Sequence, residues 1–227
     1  MREQIKLLAE DLLIRNGYRG TSFGLIAKRL KITRANIHYH FGNKRALVEE
    51  VLEDYVASTS ERLREIWTAS DVALTDKIEL MTDYSRRRYV KYNLPGKAGR
   101  PWSLIARMRQ DSEYLSPRGR ATLQRFGKEL NSYITIAIEA AKVRNEFVVS
   151  TPTRDVALQL VSIANSAGPI TQDARSFGRL EELYQSFARI IFQAFGQPRP
   201  RSRKGKQTTA ANPSRRHPGR AAPAQSG

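Results

Sequence analysis

Cysteine is absent from the chain, which excludes disulfides, thiolate metal sites and a cysteine nucleophile. Histidine is scarce, with only His38, His40 and His217. No apolar run approaches the roughly 20 residues that a membrane-spanning helix needs. The opening stretch MREQIKLLAEDLLIRNGYRG carries charges inside its apolar pattern, as an amphipathic helix does and a secretory signal does not. A reducing, cytoplasmic setting is the expectation. Period-2 strand patterns are missing too: EFVVS at 146–150 is the one β-like run, and it is too isolated to make a sheet. A further lack is local. Residues 16–48 contain no Asp or Glu.

The charge that is present is mostly positive. The net charge is +17 over 227 residues. Residues 1–50 hold ten Lys or Arg against five acids, residues 51–196 hold 21 against 17, and residues 197–227 hold eight against none. Such a chain is attracted to polyanions, nucleic acid first and an anionic membrane surface second. The final segment, 197–227, is rich in Pro, Arg, Gly, Ser and Ala and has no aliphatic residue larger than Ala. It lacks the apolar area to offset ordering entropy and is expected to be a disordered basic tail, either solubilising or adding non-specific DNA affinity through phosphate contacts.

The remainder reads as successive helices. Ile5, Leu8, Leu12 and Leu13 share one face, and Gly17 is expected to end that helix. Thr21 or Ser22 caps a short helix through Leu30 with Phe23, Ile26, Ala27 and Leu30 inward; Thr33 caps the next, through about Phe41. Gly42 stops it, and Asn43 opens a longer helix carrying Leu47, Val51, Leu52 and Tyr55. Further apolar stripes predict helices over 76–92, 102–109, 117–143, 153–167 and 178–195, with NLPGKAGRP (93–101) as loop. The fold class is therefore all-α.

His38-Tyr39-His40 invites a metal or catalytic reading, and spacing opposes it. Helical ligands to one ion sit at i, i+3 or i, i+4. Residues two apart lie about 200° apart around the axis, so these imidazoles cannot share an ion, and no carboxylate is near in sequence. No metal, no cofactor and no enzyme is expected. HExxH, a nucleophile elbow and GxxxxGK are all missing, and GKAG (96–99) has the wrong spacing for a phosphate loop. The acid-free stretch instead interleaves Arg19, Lys28, Arg29, Lys31, Arg34, Lys44 and Arg45 with Thr, Ser, Asn, His and Tyr, the residue types that bind phosphates and base edges. They fall on a short helix, a turn and a second short helix, the helix-turn-helix layout. Ile26, Ala27, Leu30, Ile32, Ile37 and Phe41 would join the two helices. The second would present Arg34, Ala35, Asn36, His38 and Tyr39 outward.

GTSFGLIAKRLKITRANIHYHFGNKRAL resembles the DNA-binding region of tetracycline-repressor-type (TetR/AcrR) regulators, over about the first 50 residues. The resemblance implies an N-terminal helix-turn-helix domain at 1–50, followed by a larger helical ligand-binding and dimerisation domain at 51–196. It implies that Thr21 and Ser22 approach phosphate and that Thr33, Arg34, Ala35 and Asn36 lie nearest the bases. His38 would reach a base edge or phosphate, Tyr39 and His40 would contact the backbone or brace the turn, and Lys44 would bind phosphate beside a helix N-terminus. Two positions depart from the family pattern: Lys31 stands where glycine is usual in the turn, and Gly24 where a longer polar residue is common.

The same resemblance implies a homodimer through the last two helices, a near-palindromic double-stranded DNA operator, and a small-molecule effector held among the middle helices. Tyr84, Tyr89, Trp102, Ile105, Met108, Phe126, Leu130 and Tyr133 are the candidate lining. Arg86-Arg87-Arg88 and Arg107/Arg109 read as a solvated face, with an anionic ligand as the other possibility. The expected function is a sequence-specific transcriptional regulator, a repressor released by its effector. The competing expectation is an architectural protein that binds all DNA alike through its basic tail.

Overall fold

The computed structural model describes residues 1–96 and 98–197; the basic segment beyond 197 lies outside the described residues. Nine α-helices occur among them: α1 Arg2–Gly20, α2 Phe23–Leu30, α3 Arg34–Phe41, α4 Lys44–Thr68, α5 Leu74–Tyr92, α6 Leu104–Gln110, α7 Pro117–Val143, α8 Thr153–Asp173 and α9 Gly178–Phe195, with one 3-10 turn at Ser112–Tyr114.

The first three helices and the start of α4 enclose a small core of Ile5, Leu12, Leu13, Ile26, Ile37, Phe41 and Leu47. Helices α2, α3 and α4 are each held at their start by a residue type that favours that position. Ser22 Oγ accepts from Leu25 N–H (3.2 Å), Thr33 Oγ1 from Asn36 N–H (3.1 Å) and Asn43 Oδ1 from Ala46 N–H (3.0 Å). Such caps are worth about 1 kcal/mol each. Phe23, Ile26 and Ala27 are buried as their spacing predicts.

Beyond these helices, α4 crosses into the larger domain and packs along α7, while α7, α8 and α9 pack in sequence and α5 lies against α9. The interdomain position expected at residues 50/51 therefore falls inside a continuous helix. Glu49 of α4 accepts from both Ser116 N–H (2.6 Å) and Ser116 Oγ (2.9 Å), the residue that caps α7, and Arg118 pairs with Glu53 at 2.5 Å.

Three elements differ from expectation. The first helix does not stop at Gly17. It breaks there, at φ 71°, and resumes to Gly20. The break frees Tyr18 N–H, which donates to Asp111 Oδ2 at the end of α6 (2.7 Å). Helix α8 runs to Asp173 rather than 167 and contains Pro169. The β-like run is not solitary: Phe147 pairs with Gly196 in an antiparallel bridge, where Val148 N–H donates to Phe195 O (2.9 Å) and Gln197 N–H to Glu146 O (2.8 Å). A partner 49 residues away in sequence leaves no local signal.

Candidate nucleic-acid interface and effector cavity

The turn between α2 and α3 is closed by Lys31 in the left-handed region, φ 56° and ψ 41°, with Ile32 N–H donating back to Ala27 O at 3.1 Å. The chain therefore keeps the turn geometry that glycine would supply freely, with a lysine bearing a steric cost of about 1–2 kcal/mol. Gly24, the other departure, has a partner. A Cβ at Gly24 would lie 2.8 Å from Arg34 Nη2 and 3.1 Å from Arg34 Nε. The missing side chain on α2 is the space that the first residue of α3 occupies.

Along α3, Arg34, Ala35, His38 and Tyr39 are exposed, and Tyr39 keeps 85% of its surface. Ile37 and Phe41 face inward. Asn36 is half-buried; its Oδ1 is shielded from solvent and accepts no hydrogen bond from the described residues. His38 sits edge-on to Phe23 with ring centroids 4.8 Å apart, and its Nδ1 lies 2.9 Å from Gly42 O. A carbonyl only accepts, so Nδ1 carries the proton and Nε2 is the pole left for a ligand. His40 lies between Tyr39 and Phe41. The two imidazoles thus have separate surroundings.

One predicted phosphate-binding position, Thr21, faces inward. Thr21 is buried, and its hydroxyl donates to Gly17 O at 2.9 Å, which secures the break in α1. Its neighbour Ser22 is the exposed residue that begins α2. Lys44 rests its ammonium 4.2 Å from the centre of the Tyr18 ring, and Tyr18 stacks on Tyr114 at 5.0 Å. Burial holds the Lys44 ammonium below the ordinary lysine value, against the attraction of Asp111. Lys44 therefore connects the start of α4 to the junction with α6.

In the larger domain, α4, α5, α6, α7 and α8 surround a cavity of about 60 Å³. Tyr84, Trp102, Ile105, Phe126 and Leu130 line it as expected. Tyr89, Met108 and Tyr133 do not. Tyr89 packs between Trp102 and Phe177, Met108 is fully enclosed in the core, and Tyr133 lies near Ser60, Arg64 and Glu129. The wall also contains polar groups that the apolar pattern did not mark, among them Tyr55, Thr59, Arg88, Arg109 and Asn165. The Tyr55 hydroxyl accepts from Arg88 and from Leu104 N–H (3.3 Å), joining α4, α5 and α6, and burial pushes its pKa up. Arg109 Nη1 donates to Asn165 Oδ1 at 2.9 Å, and burial lowers its pKa from the ordinary guanidinium value.

With a helix-turn-helix at one end and a larger helical body behind it, the chain has the architecture of a DNA-binding regulator. Residues 8–51 match the model of the bacterial regulatory proteins of the tetR family. A 52-residue stretch is 36% identical to the HTH-type transcriptional regulator QacR of Staphylococcus aureus; the match covers 23% of this chain and 28% of that regulator. The whole fold is similar to that of reduced Escherichia coli NemR, with TM-score 0.71, 18% identity, and 88% of this chain and 98% of that one covered. It is also similar to a TetR regulator from Chloroflexus aurantiacus, with TM-score 0.70, 21% identity, and 87% and 96% covered. Residues 8–51 therefore carry the DNA-binding domain of the tetR-type regulators, and the described residues share the fold of solved regulators of that type. No helix among the described residues is long and apolar enough to cross a membrane.

Proposed function

We propose that the protein is a homodimeric, sequence-specific repressor that binds a near-palindromic operator and leaves it when a small molecule occupies the cavity between α4 and α8. The observation that carries the reading is the acid-free α2–turn–α3 surface, on which Arg34, Ala35, His38 and Tyr39 are exposed on a helix set by the Thr33 cap. Such a helix enters a major groove, and a dimer places two of them about one helical turn of DNA apart. Dimerisation is supported by apolar side chains uncovered on the last two helices: Leu158 on α8 is 58% exposed and Ile190 on α9 is 60% exposed. Release by a ligand is supported by shared parts. Helix α4 begins in the DNA-reading domain and contributes Tyr55 and Thr59 to the cavity. Helix α6 lines the cavity and holds the Tyr18 amide through Asp111. A ligand that favours another spacing of α4 and α6 shifts the population of DNA-competent heads.

Selection of bound sites from a random duplex pool at near-physiological salt tests the reading. The expected result is enrichment of one inverted repeat. Binding without enrichment would overturn it in favour of a DNA-compacting protein that uses its basic segment.

A further inference from the structure

The arginine triplet at 86–88 divides three ways in the fold. Successive helical positions are about 100° apart. Arg86 pairs with Glu181 and lies over the Phe177 ring, and Arg87 is exposed. Arg88 turns inward to the cavity, where its guanidinium carbon lies 4.5 Å from the centre of the Tyr55 ring and 5.9 Å from that of Tyr84. Arg109 reaches the same cavity from α6, with its guanidinium carbon 5.9 Å from the centre of the Phe126 ring. Among the described residues, no Asp or Glu forms an ion pair with Arg88 or Arg109, although most of the other partly buried cations in the chain have one. The hydrogen-bond partners of these two are neutral, a phenol for Arg88 and a carboxamide for Arg109, and the Glu10 carboxylate attracts Arg88 from beyond ion-pair distance. A third group awaits a partner. Thr59 is 94% buried on the cavity wall, and its hydroxyl has no hydrogen-bond partner.

Two guanidiniums without a direct ion-pair partner among the described residues, one orphan hydroxyl and four aromatic rings make a wall of definite chemistry. Removing a charge from water is costly unless an opposite charge replaces the water, and guanidinium presents a planar fork suited to a carboxylate. We propose that the cavity takes a small organic acid, with its carboxylate held by Arg88 and Arg109, a polar substituent on the Thr59 hydroxyl, and an apolar body against Tyr84, Phe126 and Leu130. This rests on the effector reading above and specifies its chemistry. The cavity of about 60 Å³ is smaller than the roughly 150 Å³ that accommodates a benzene, so the acid enters by parting the helices that carry these groups.

The test uses the full chain and matched pairs of probes: benzoate with benzamide, phenylacetate with phenylacetamide, and octanoate with octanamide. Binding is read by titration calorimetry and by tryptophan fluorescence, to which Trp102 on the cavity wall contributes beside the buried Trp67. At least one acid is expected to bind tenfold or more tightly than its amide. Arg88→Met and Arg109→Met are each expected to weaken that acid at least tenfold, and Arg87→Met to leave it unchanged. Arg88→Lys, which keeps the charge and loses the fork, should fall between. Thermal unfolding without ligand identifies any variant that fails to fold, for which Arg88→Lys or Arg109→Lys then decides. Failure of every acid to bind, amides that bind as tightly, or acids unaffected by both arginine variants would overturn the proposal. An acid that binds as expected but leaves DNA affinity unchanged would sustain this inference and refute the effector-release reading instead.

Discussion

Gly24 and Arg34 are a complementary pair across the helix-turn-helix. Glycine inside a helix costs about 1 kcal/mol relative to alanine, and here the vacancy admits a guanidinium that reaches back from α3. Gly24→Ala should therefore raise stability or leave it level, since only the flexible end of Arg34 must move, while changing which operator bases are preferred. Paired thermal melts and site selection check both halves; unchanged selection would show that the position of Arg34 does not matter to reading. Asn36→Ala should cost the fold little, because the shielded oxygen it removes has no partner, and should relax preference at one operator position. Lys44→Ala should weaken all sequences about equally and reduce the salt slope by about one. Lys31→Gly should stabilise the domain by about 0.5–1 kcal/mol, the relief of the left-handed strain offset in part by unfolded-state entropy. At this scale the caps Thr33 and Asn43, and Ser22 as one of two candidates with Thr21, were legible in sequence because each acts on a neighbour three residues away. The inward turn of Thr21 was not, because it depends on the break at Gly17.

Among the elements, the junction of α1 with α6 depends on a single broken turn. The Tyr18 amide, released by Gly17, has its acceptor in Asp111, 93 residues further along the chain. Gly17→Ala would place a Cβ within 2.6 Å of Arg107 Nε and Asp111 Oδ2 at a positive φ, so a loss of about 2 kcal/mol or more is expected in chemical denaturation. Asp111→Ala strands the amide and should cost about 1–3 kcal/mol. If α6 carries the signal, the same substitution should also reduce the effect of ligand on DNA affinity, measured by titrating DNA with and without a bound acid. Helix identities and most boundaries could be read from the 3.6-residue rhythm, since each helix buries one face. Which aromatic lines a cavity could not. Tyr84 and Tyr89 are five residues apart on one helix, yet only Tyr84 reaches the space, because Trp102, just before α6, and Phe177, just before α9, pack against Tyr89. The triplet at 86–88 leaves two readings open in sequence for the same reason: a run of arginines resembles a solvated face until packing turns one of them inward.

For the whole molecule, Leu158 and Ile190 are the exposed apolar residues on which the proposed dimer rests. Leu158→Arg with Ile190→Arg should give a folded monomer by sedimentation, with loss of affinity for the inverted repeat far beyond its loss for a half-site. A dimer that persists would place the interface elsewhere. Nearly half of the excess positive charge lies in residues 197–227, with eight Lys or Arg and no acid. Removing residues 198–227 should flatten the salt dependence of non-specific binding while leaving the enriched sequence the same.

The smallness of the cavity also sets a clock. A site that must open before it can fill captures ligand at a rate limited by the helices rather than by diffusion. Closure around the ligand then slows its escape. With about 60 Å³ at rest, such a regulator would ignore a brief pulse of its effector and continue to report a sustained one after it had passed, so its output would follow the average concentration rather than the moment.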